Sequence, residues 1–174
     1  LENNDPYVEG LWICKSNWIK RAGRAIGDST SLRLLNISII SGDNDGTWLG
    51  ELLQHLPRNR SIEFFRVYLE PTFVGDQVRR NIYELEWDIF HILTPFIEHN
   101  SNLRHIELLY GSSSMLSSLA LALSNCKNKR LERISLQEVH AEDDYNQIFA
   151  SLAEYNNLLE IRVGNSRIGK LGCM

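Results

Sequence analysis

The ten residues from Leu131 read LERISLQEVH, and the twelve from Leu158 read LLEIRVGNSRIG. In both stretches an apolar residue is followed by a second one three positions later and a third one five positions later. The two stretches start 27 residues apart (158 − 131). Recurrence of one figure at such an interval is the sequence mark of a repeat architecture, so the same figure is expected elsewhere in the chain.

The apolar figure occurs six times along the chain. Its successive starts are 24, 30, 41, 28 and 27 residues apart by subtraction, at Val8, Leu32, Ile62, Leu103, Leu131 and Leu158. Between the figures, apolar residues recur at spacings of three and four, which places them on one face of a helix. A polar turn such as GDSTS or PRNRS precedes the next figure. This alternation predicts an α/β fold of about six strand–helix repeats within a single domain over residues 1–174.

Several residues mark the predicted helices. The serines of 112–114 offer oxygen atoms to the unpaired N–H groups of a first helical turn. Pro95 predicts either a kink or a helix that begins near Thr94. Gly23 and Gly27 interrupt a helical pattern, which indicates either close packing or a helix end.

Stacking explains why such units repeat. One strand of three to four residues and one helix leave an apolar stripe exposed, and stacked units cover it. Parallel strands need a crossover between them, which the helix supplies. Because strands are narrower than helices, the sheet is expected on the inside of an arc.

The two stretches LERISLQEVH and LLEIRVGNSRIGKLGC resemble leucine-rich repeats of the ribonuclease-inhibitor type, in which a unit has about 28 residues and a full helix. The repeats are divergent and resemble those of large repeat families in single-celled eukaryotes (protist-like repeats). The asparagine usual at the strand exit is absent, and the equivalent places hold Ile40, Glu70, Gly111, Val139 and Ser166. The resemblance implies a right-handed leucine-rich-repeat solenoid, a horseshoe arc with its parallel sheet on the concave face.

Composition narrows the classes of partner. A net charge of −4 argues against nucleic acid or an anionic membrane, since both reward a basic surface. No apolar run approaches the roughly 18–20 residues of a membrane span. Three cysteines do not suggest a disulfide framework, so an intracellular, cytoplasmic protein is expected. The abrupt ends of the pattern predict that the chain is a fragment of a longer one.

The third unit carries an insertion at residues 70–87, EPTFVGDQVRRNIYELEW. One interpretation is a longer surface loop or an extra short helix. The other is a loop that reaches over the concave face and contacts a partner through Arg79, Arg80 and Tyr83.

Residue patterns of catalysis are missing. The five histidines do not form a zinc-ligand spacing with cysteine. Cys126 and Cys173 fall at positions that favour a small buried side chain. No phosphate-binding glycine loop or nucleophile elbow occurs. We therefore expect a protein that is not an enzyme and that carries no metal or cofactor.

Strand alternation predicts that the fourth and sixth residues of each unit, such as Ile161 and Val163 in the last one, point into the core, and that the third, fifth and seventh face outward. Phe64, Arg66 and Tyr68 are successive outward positions on one strand, and these residue types are enriched at the energetic centres of interfaces. Either this patch contacts a partner, or the insertion or another segment covers it, or the strands are out of register. The predicted partner-binding residues are Trp12, Asn36, Phe64, Arg66, Tyr68, Glu107, Tyr110 and Arg162.

The sequence therefore predicts a non-catalytic protein–protein interaction scaffold that binds a partner protein on the concave sheet. The alternative is a structural subunit or spacer, embedded in a larger assembly through its convex helices and open ends.

Overall fold

A computed structural model describes residues 10–13, 19–40, 50, 53–70, 93–126, 129–140 and 145–164. Several sequence predictions lie outside these residues. They concern residues 71–87 of the insertion with Arg79, Arg80 and Tyr83, most of the second predicted helix, and Cys173.

Six parallel strands form one sheet, in the order in which they occur along the chain. They are β1 (Gly10–Ile13), β2 (Leu34–Ile40), β3 (Phe64–Glu70), β4 (His105–Ser112), β5 (Arg133–His140) and β6 (Glu160–Gly164). The helices are α1 (Ile19–Asp28), α2 (93–99), α3 (Ser113–Asn125) and α4 (Tyr145–Leu152). The turn Leu56–Arg58 is a 3₁₀ helix. The α/β class and the alternation of strands with helical segments are confirmed.

Equivalent positions of the repeats lie side by side in the sheet. Strand register pairs the third, fifth and seventh residues of each unit with the same residues of the next. The third-position row is Gly10, Leu34, Phe64, His105, Arg133 and Glu160; the fifth-position row is Trp12, Asn36, Arg66, Glu107, Ser135 and Arg162; the described seventh-position row is Ser38, Tyr68, Leu109, Gln137 and Gly164. The proposed misregistration is therefore excluded for these rows.

The fourth and sixth positions of the units form the floor of the apolar core. In β2 to β5 these residues are all buried: Leu35, Ile37, Phe65, Val67, Ile106, Leu108, Ile134 and Leu136. Apolar residues of the described helices join them in one cluster, including Ile26, Phe96, Leu119 and Ile148. Burying one such side chain stabilises the fold by about 1.5–3 kcal/mol, so the repeated apolar figure is the main source of stability.

Strand length and the last strand differ from expectation. The figure predicted strands of three to four residues, whereas β2 to β5 contain seven or eight. They are longer because the exit residues continue to pair, as Gly111 does with Val139. In β6 the fourth-position residue Ile161 is 43% exposed, since no described strand flanks β6 on its far side.

Two exit residues adopt the left-handed backbone region. Tyr110 has φ 59° and Glu138 has φ 54°, and they occupy equivalent places on β4 and β5. Residues other than glycine are uncommon there, at a cost of roughly 1–2 kcal/mol each. Their shared position indicates one bend common to both strands.

Side chains also connect the turns that precede the strands. In each case a buried side chain donates to the backbone oxygen of a residue near the end of the helix in the previous repeat. The pairs are Asn59 Nδ2 to Ile26 (2.7 Å), Cys126 Sγ to Ile97 (3.4 Å) and the Tyr155 hydroxyl to Leu123 (2.9 Å). The burial expected for Cys126 is confirmed.

Gly27 lies where α1 approaches the segment around His55. A Cβ atom at Gly27 would lie 2.5 Å from the backbone oxygen of His55. That distance is far inside van der Waals contact, so close packing explains this glycine. Pro95 lies inside the helical residues 93–99, and the residues immediately before 93 are not among those described.

Among the described residues, no helix has both the length and the apolar composition that crossing a bilayer requires.

Candidate partner-binding surface

The face of the sheet opposite the apolar core, which we call the outward face, carries the third-, fifth- and seventh-position rows. Its side chains follow from strand alternation, because neighbouring residues of a strand point to opposite faces. The in-register rows bring side chains from neighbouring units into contact, so the outward face is a patterned surface that spans several repeats.

Aromatic contacts join β3 to β4 on this face. The rings of Phe64 and His105 have centroids 4.2 Å apart, and the Arg66 guanidinium lies 5.6 Å from the Phe64 centroid. Farther along the strands, the Tyr68 and Tyr110 rings meet edge to face with centroids 5.7 Å apart. Such ring pairs contribute about 0.5–1.5 kcal/mol beyond the area they bury, so they hold the aromatic groups in place.

An ion pair lies between the two ring contacts. Arg66 Nε donates to Glu107 Oε2 at 2.7 Å, and a terminal nitrogen of Arg66 also contacts this oxygen. The Glu107 side chain is only 11% exposed, whereas that of Arg66 is 33% exposed. Gln137 Nε2 approaches the other Glu107 oxygen at 3.4 Å and donates to the Ser135 hydroxyl at 3.1 Å. Arg66 is therefore fixed over Phe64 by a nearly buried carboxylate.

His105 is partly enclosed by this cluster. Burial lowers the pKa of His105 below its usual 6.5, and the nearby arginines 133 and 66 add to the effect. The carboxylates of Glu107 and Glu160 act in the opposite direction without reversing it. At neutral pH the ring is uncharged and serves as an aromatic surface beside Phe64.

A shallow depression lies beside His105. It has a volume of about 170 Å³, and its walls include Phe64, His105, Arg133, Glu160 and Arg162. Arg133 Nε lies 3.7 Å from Glu160 Oε2, and Arg162 Nε donates to Glu160 Oε1 at 2.5 Å. One carboxylate is therefore shared by two guanidinium groups.

The structure brings five of the eight predicted residues into two neighbouring clusters: Phe64, Arg66 and Glu107 in one, Tyr68 and Tyr110 in the other. Trp12 on β1 and Asn36 on β2 belong to the fifth-position row, which also contains Arg66. Arg162 on β6 is the last residue of that row. Counting backbone and side chain together, Asn36 is 7% exposed and Glu107 8%, so both offer little surface to a partner. A binding role for all eight stays a prediction.

Three residues of the outward face were not among the eight predicted partner-binding residues. His105, Arg133 and Glu160 occupy the third-position row next to Phe64. The sequence signal for Arg133 and Glu160 is their opposite charge at equivalent positions of successive repeats, whereas His105 carries no such signal.

No protein-family model matches the chain, and no curated protein shows significant sequence similarity to it. In the part of the chain that the structure describes, no three His, Cys, Asp or Glu residues are grouped so that they could hold a metal ion.

Proposed function

We propose that this protein is a non-catalytic scaffold that binds a partner protein on the outward face of its sheet. The observation that carries the proposal is the cluster of Phe64, Arg66, Tyr68 and Tyr110, whose contacts hold aromatic and guanidinium groups in fixed positions at a half-exposed surface. Interfaces are enriched in these residue types because they bury a large area at a modest cost in side-chain entropy.

We further propose that the repeats form a right-handed solenoid of the leucine-rich-repeat type, with the outward face on its concave side. Sequential strand order, parallel pairing and in-register rows support this arrangement. A concave sheet would present the aromatic cluster at the centre of a broad binding surface.

Site-specific photo-crosslinking tests the proposed surface. Benzoyl-phenylalanine at Leu109, beside Tyr68 in the seventh-position row, is compared with the same group at the exposed Leu121 of α3. In extracts of the source cells, we expect a discrete crosslinked protein from position 109 and none from position 121. The double substitution Phe64→Ala and Tyr68→Ala should abolish the crosslink while the variant stays folded by circular dichroism. A crosslink at 109 that survives this substitution would reject the site.

The second candidate function is that of a structural subunit embedded in a larger assembly. Three exposed leucine and isoleucine side chains favour it: Leu121 on α3, Leu159 before β6 and Ile161 within β6 are 59%, 75% and 43% exposed. This function predicts the opposite crosslinking result, with a product from position 121 and none from position 109.

A further inference from the structure

The depression on the outward face contains an excess of guanidinium groups. Three arginines, Arg66, Arg133 and Arg162, and two glutamates, Glu107 and Glu160, line it. Glu107 is engaged by Arg66, and Glu160 is shared by Arg133 and Arg162. The difference of three positive and two negative charges is one net positive charge, and His105 adds none at neutral pH because burial lowers its pKa.

The arginines of β5 and β6 retain donors for a ligand. Their described contacts are both made by Nε, and both end on Glu160. A guanidinium carries five N–H donors in a planar fork that matches a carboxylate. The side chains of Arg133 and Arg162 are 55% and 67% exposed, so their terminal nitrogens are accessible.

The volume of the depression limits the size of the ligand that it can hold. Its volume of about 170 Å³ lies below the roughly 300–1,000 Å³ of small-molecule sites and suits one side chain. The Phe64 and His105 rings supply an apolar surface for methylene groups beside the charged arginines.

We propose that this depression receives an aspartate or glutamate side chain, and that the partner therefore binds through an acidic segment. The ligand carboxylate accepts from the terminal nitrogens of Arg133 and Arg162, whose Nε atoms hold Glu160, and its methylene groups lie against the aromatic rings. This inference rests on the proposed function, because it names the chemistry of the partner at the same surface.

Peptide selection tests the inference without a known partner. A phage library of random 12-residue peptides is panned on the full chain in 0.1 M NaCl. We expect selected peptides to be enriched in aspartate and glutamate, and to bind about tenfold more weakly in 0.5 M NaCl because salt screens the contact.

Two variants locate the contact. The double substitution Arg133→Gln and Arg162→Gln should weaken the selected acidic peptides at least about tenfold, the effect of losing a charge-assisted hydrogen bond. The control Arg24→Gln and Arg60→Gln makes the same change in charge at two exposed arginines outside the depression. It should leave the affinity within about twofold.

The outcomes separate this inference from the proposed function. Uncharged or basic peptides that lose affinity in the Phe64→Ala and Tyr68→Ala variant would overturn the acidic partner but keep the surface. Acidic peptides that bind the Arg133→Gln and Arg162→Gln variant as tightly as the Arg24→Gln and Arg60→Gln control would overturn the depression as the site. Two outcomes would overturn the inference and the proposed function together. One is a set of peptides whose affinity changes neither in the Phe64→Ala and Tyr68→Ala variant nor in the Arg133→Gln and Arg162→Gln variant. The other is a selection that enriches no peptide.

Discussion

Among single residues, Asn59 links two turns of the chain. Its side chain is fully buried, and its Nδ2 donates to the backbone oxygens of Ile26 at 2.7 Å and Ser29 at 3.0 Å. Its Oδ1 accepts from the backbone amides of Ser61 at 2.8 Å and Ile62 at 2.9 Å. Asn100 occupies the same place before β4, five residues ahead of the strand. Its Nδ2 has no hydrogen-bond partner in the part of the chain that the structure describes.

Asn59→Ala should destabilise the protein by about 3 kcal/mol or more, because it leaves four buried backbone groups without this partner. Asn100→Ala is the matched control. It removes one described bond, from the Asn102 amide to Oδ1, and should cost about 1 kcal/mol. Urea unfolding measures both, and equal losses would contradict the linking role of Asn59.

His105 gives the fold a pH dependence whose sign follows from its lowered pKa. In the folded protein the pKa of His105 lies below its unfolded value of 6.5, so at a pH between the folded and the unfolded pKa the unfolded chain binds more protons. The contribution of His105 to stability is therefore fully present above pH 6.5 and is lost as the pH falls from 6.5 towards the folded pKa.

The substitution His105→Gln should reduce this loss. The difference between urea midpoints at pH 7.5 and pH 5.5 is the measurement, since the lost ring contact with Phe64 lowers both midpoints alike. The exposed His99 serves as the control through His99→Gln. If the urea midpoints of the wild type, His105→Gln and His99→Gln fell by the same amount on acidification, the assignment of the pH dependence to His105 would be wrong.

At the scale of strand pairs, two kinds of ion pair join neighbouring elements. Arg66 and Glu107 join β3 to β4, and the Glu107 carboxylate is nearly buried while Arg66 is one third exposed. Outside the strands, Arg104 Nη1 contacts Glu132 Oε1 at 2.8 Å, with side chains 51% and 34% exposed. This second pair belongs to a row of alternating charge at the strand entries, consisting of Arg33, Glu63, Arg104 and Glu132.

Removing one partner should have unequal effects on these pairs. Arg66→Met leaves a nearly buried carboxylate and should cost about 2 kcal/mol or more, whereas Arg104→Met should cost less than about 1 kcal/mol. Adding Glu107→Gln to Arg66→Met should restore part of the loss. Thermal or urea unfolding measures all three variants. Equal costs for the two single variants would show that burial does not distinguish the pairs.

At the scale of the whole molecule, β6 is the strand whose apolar residues stay in contact with solvent. Among the described strands it pairs with β5 alone, and Leu159 stands next to Glu132 in the row of alternating charges. An exposed strand edge with apolar residues is a template for association with another chain. We therefore expect the protein to self-associate in a concentration-dependent way.

Leu159→Lys should reduce this association, because lysine on an edge opposes pairing with another chain and continues the charge row beside Glu132. The free energy of unfolding should change by no more than about 0.5 kcal/mol. Sedimentation velocity over a concentration series measures association. Leu121→Lys, on the exposed side of α3, is the control, and an equal reduction there would refute the role of the β6 edge.

The repeated figure predicted the sheet and its rows because strand alternation and the recurrence of the figure, with four of its five spacings between 24 and 30 residues, can be read directly from the sequence. Opposite charges at equivalent positions then identify the Arg66–Glu107 neighbours. The pattern did not predict the Tyr68–Tyr110 contact, since Tyr110 adopts a left-handed backbone that only tertiary packing imposes. The pattern also assigned Ile161 to the core, because the same apolar figure occurs at every strand. Whether a side chain of the figure is buried depends on what flanks its strand, and no described strand flanks β6 on its far side.

The sequential strand order has a consequence for biosynthesis. When a strand leaves the ribosome, the neighbour on which it pairs has already been made, because no later strand is inserted between two earlier ones. Each new repeat can dock as it emerges, so this chain can acquire its structure in the direction of translation, one unit at a time.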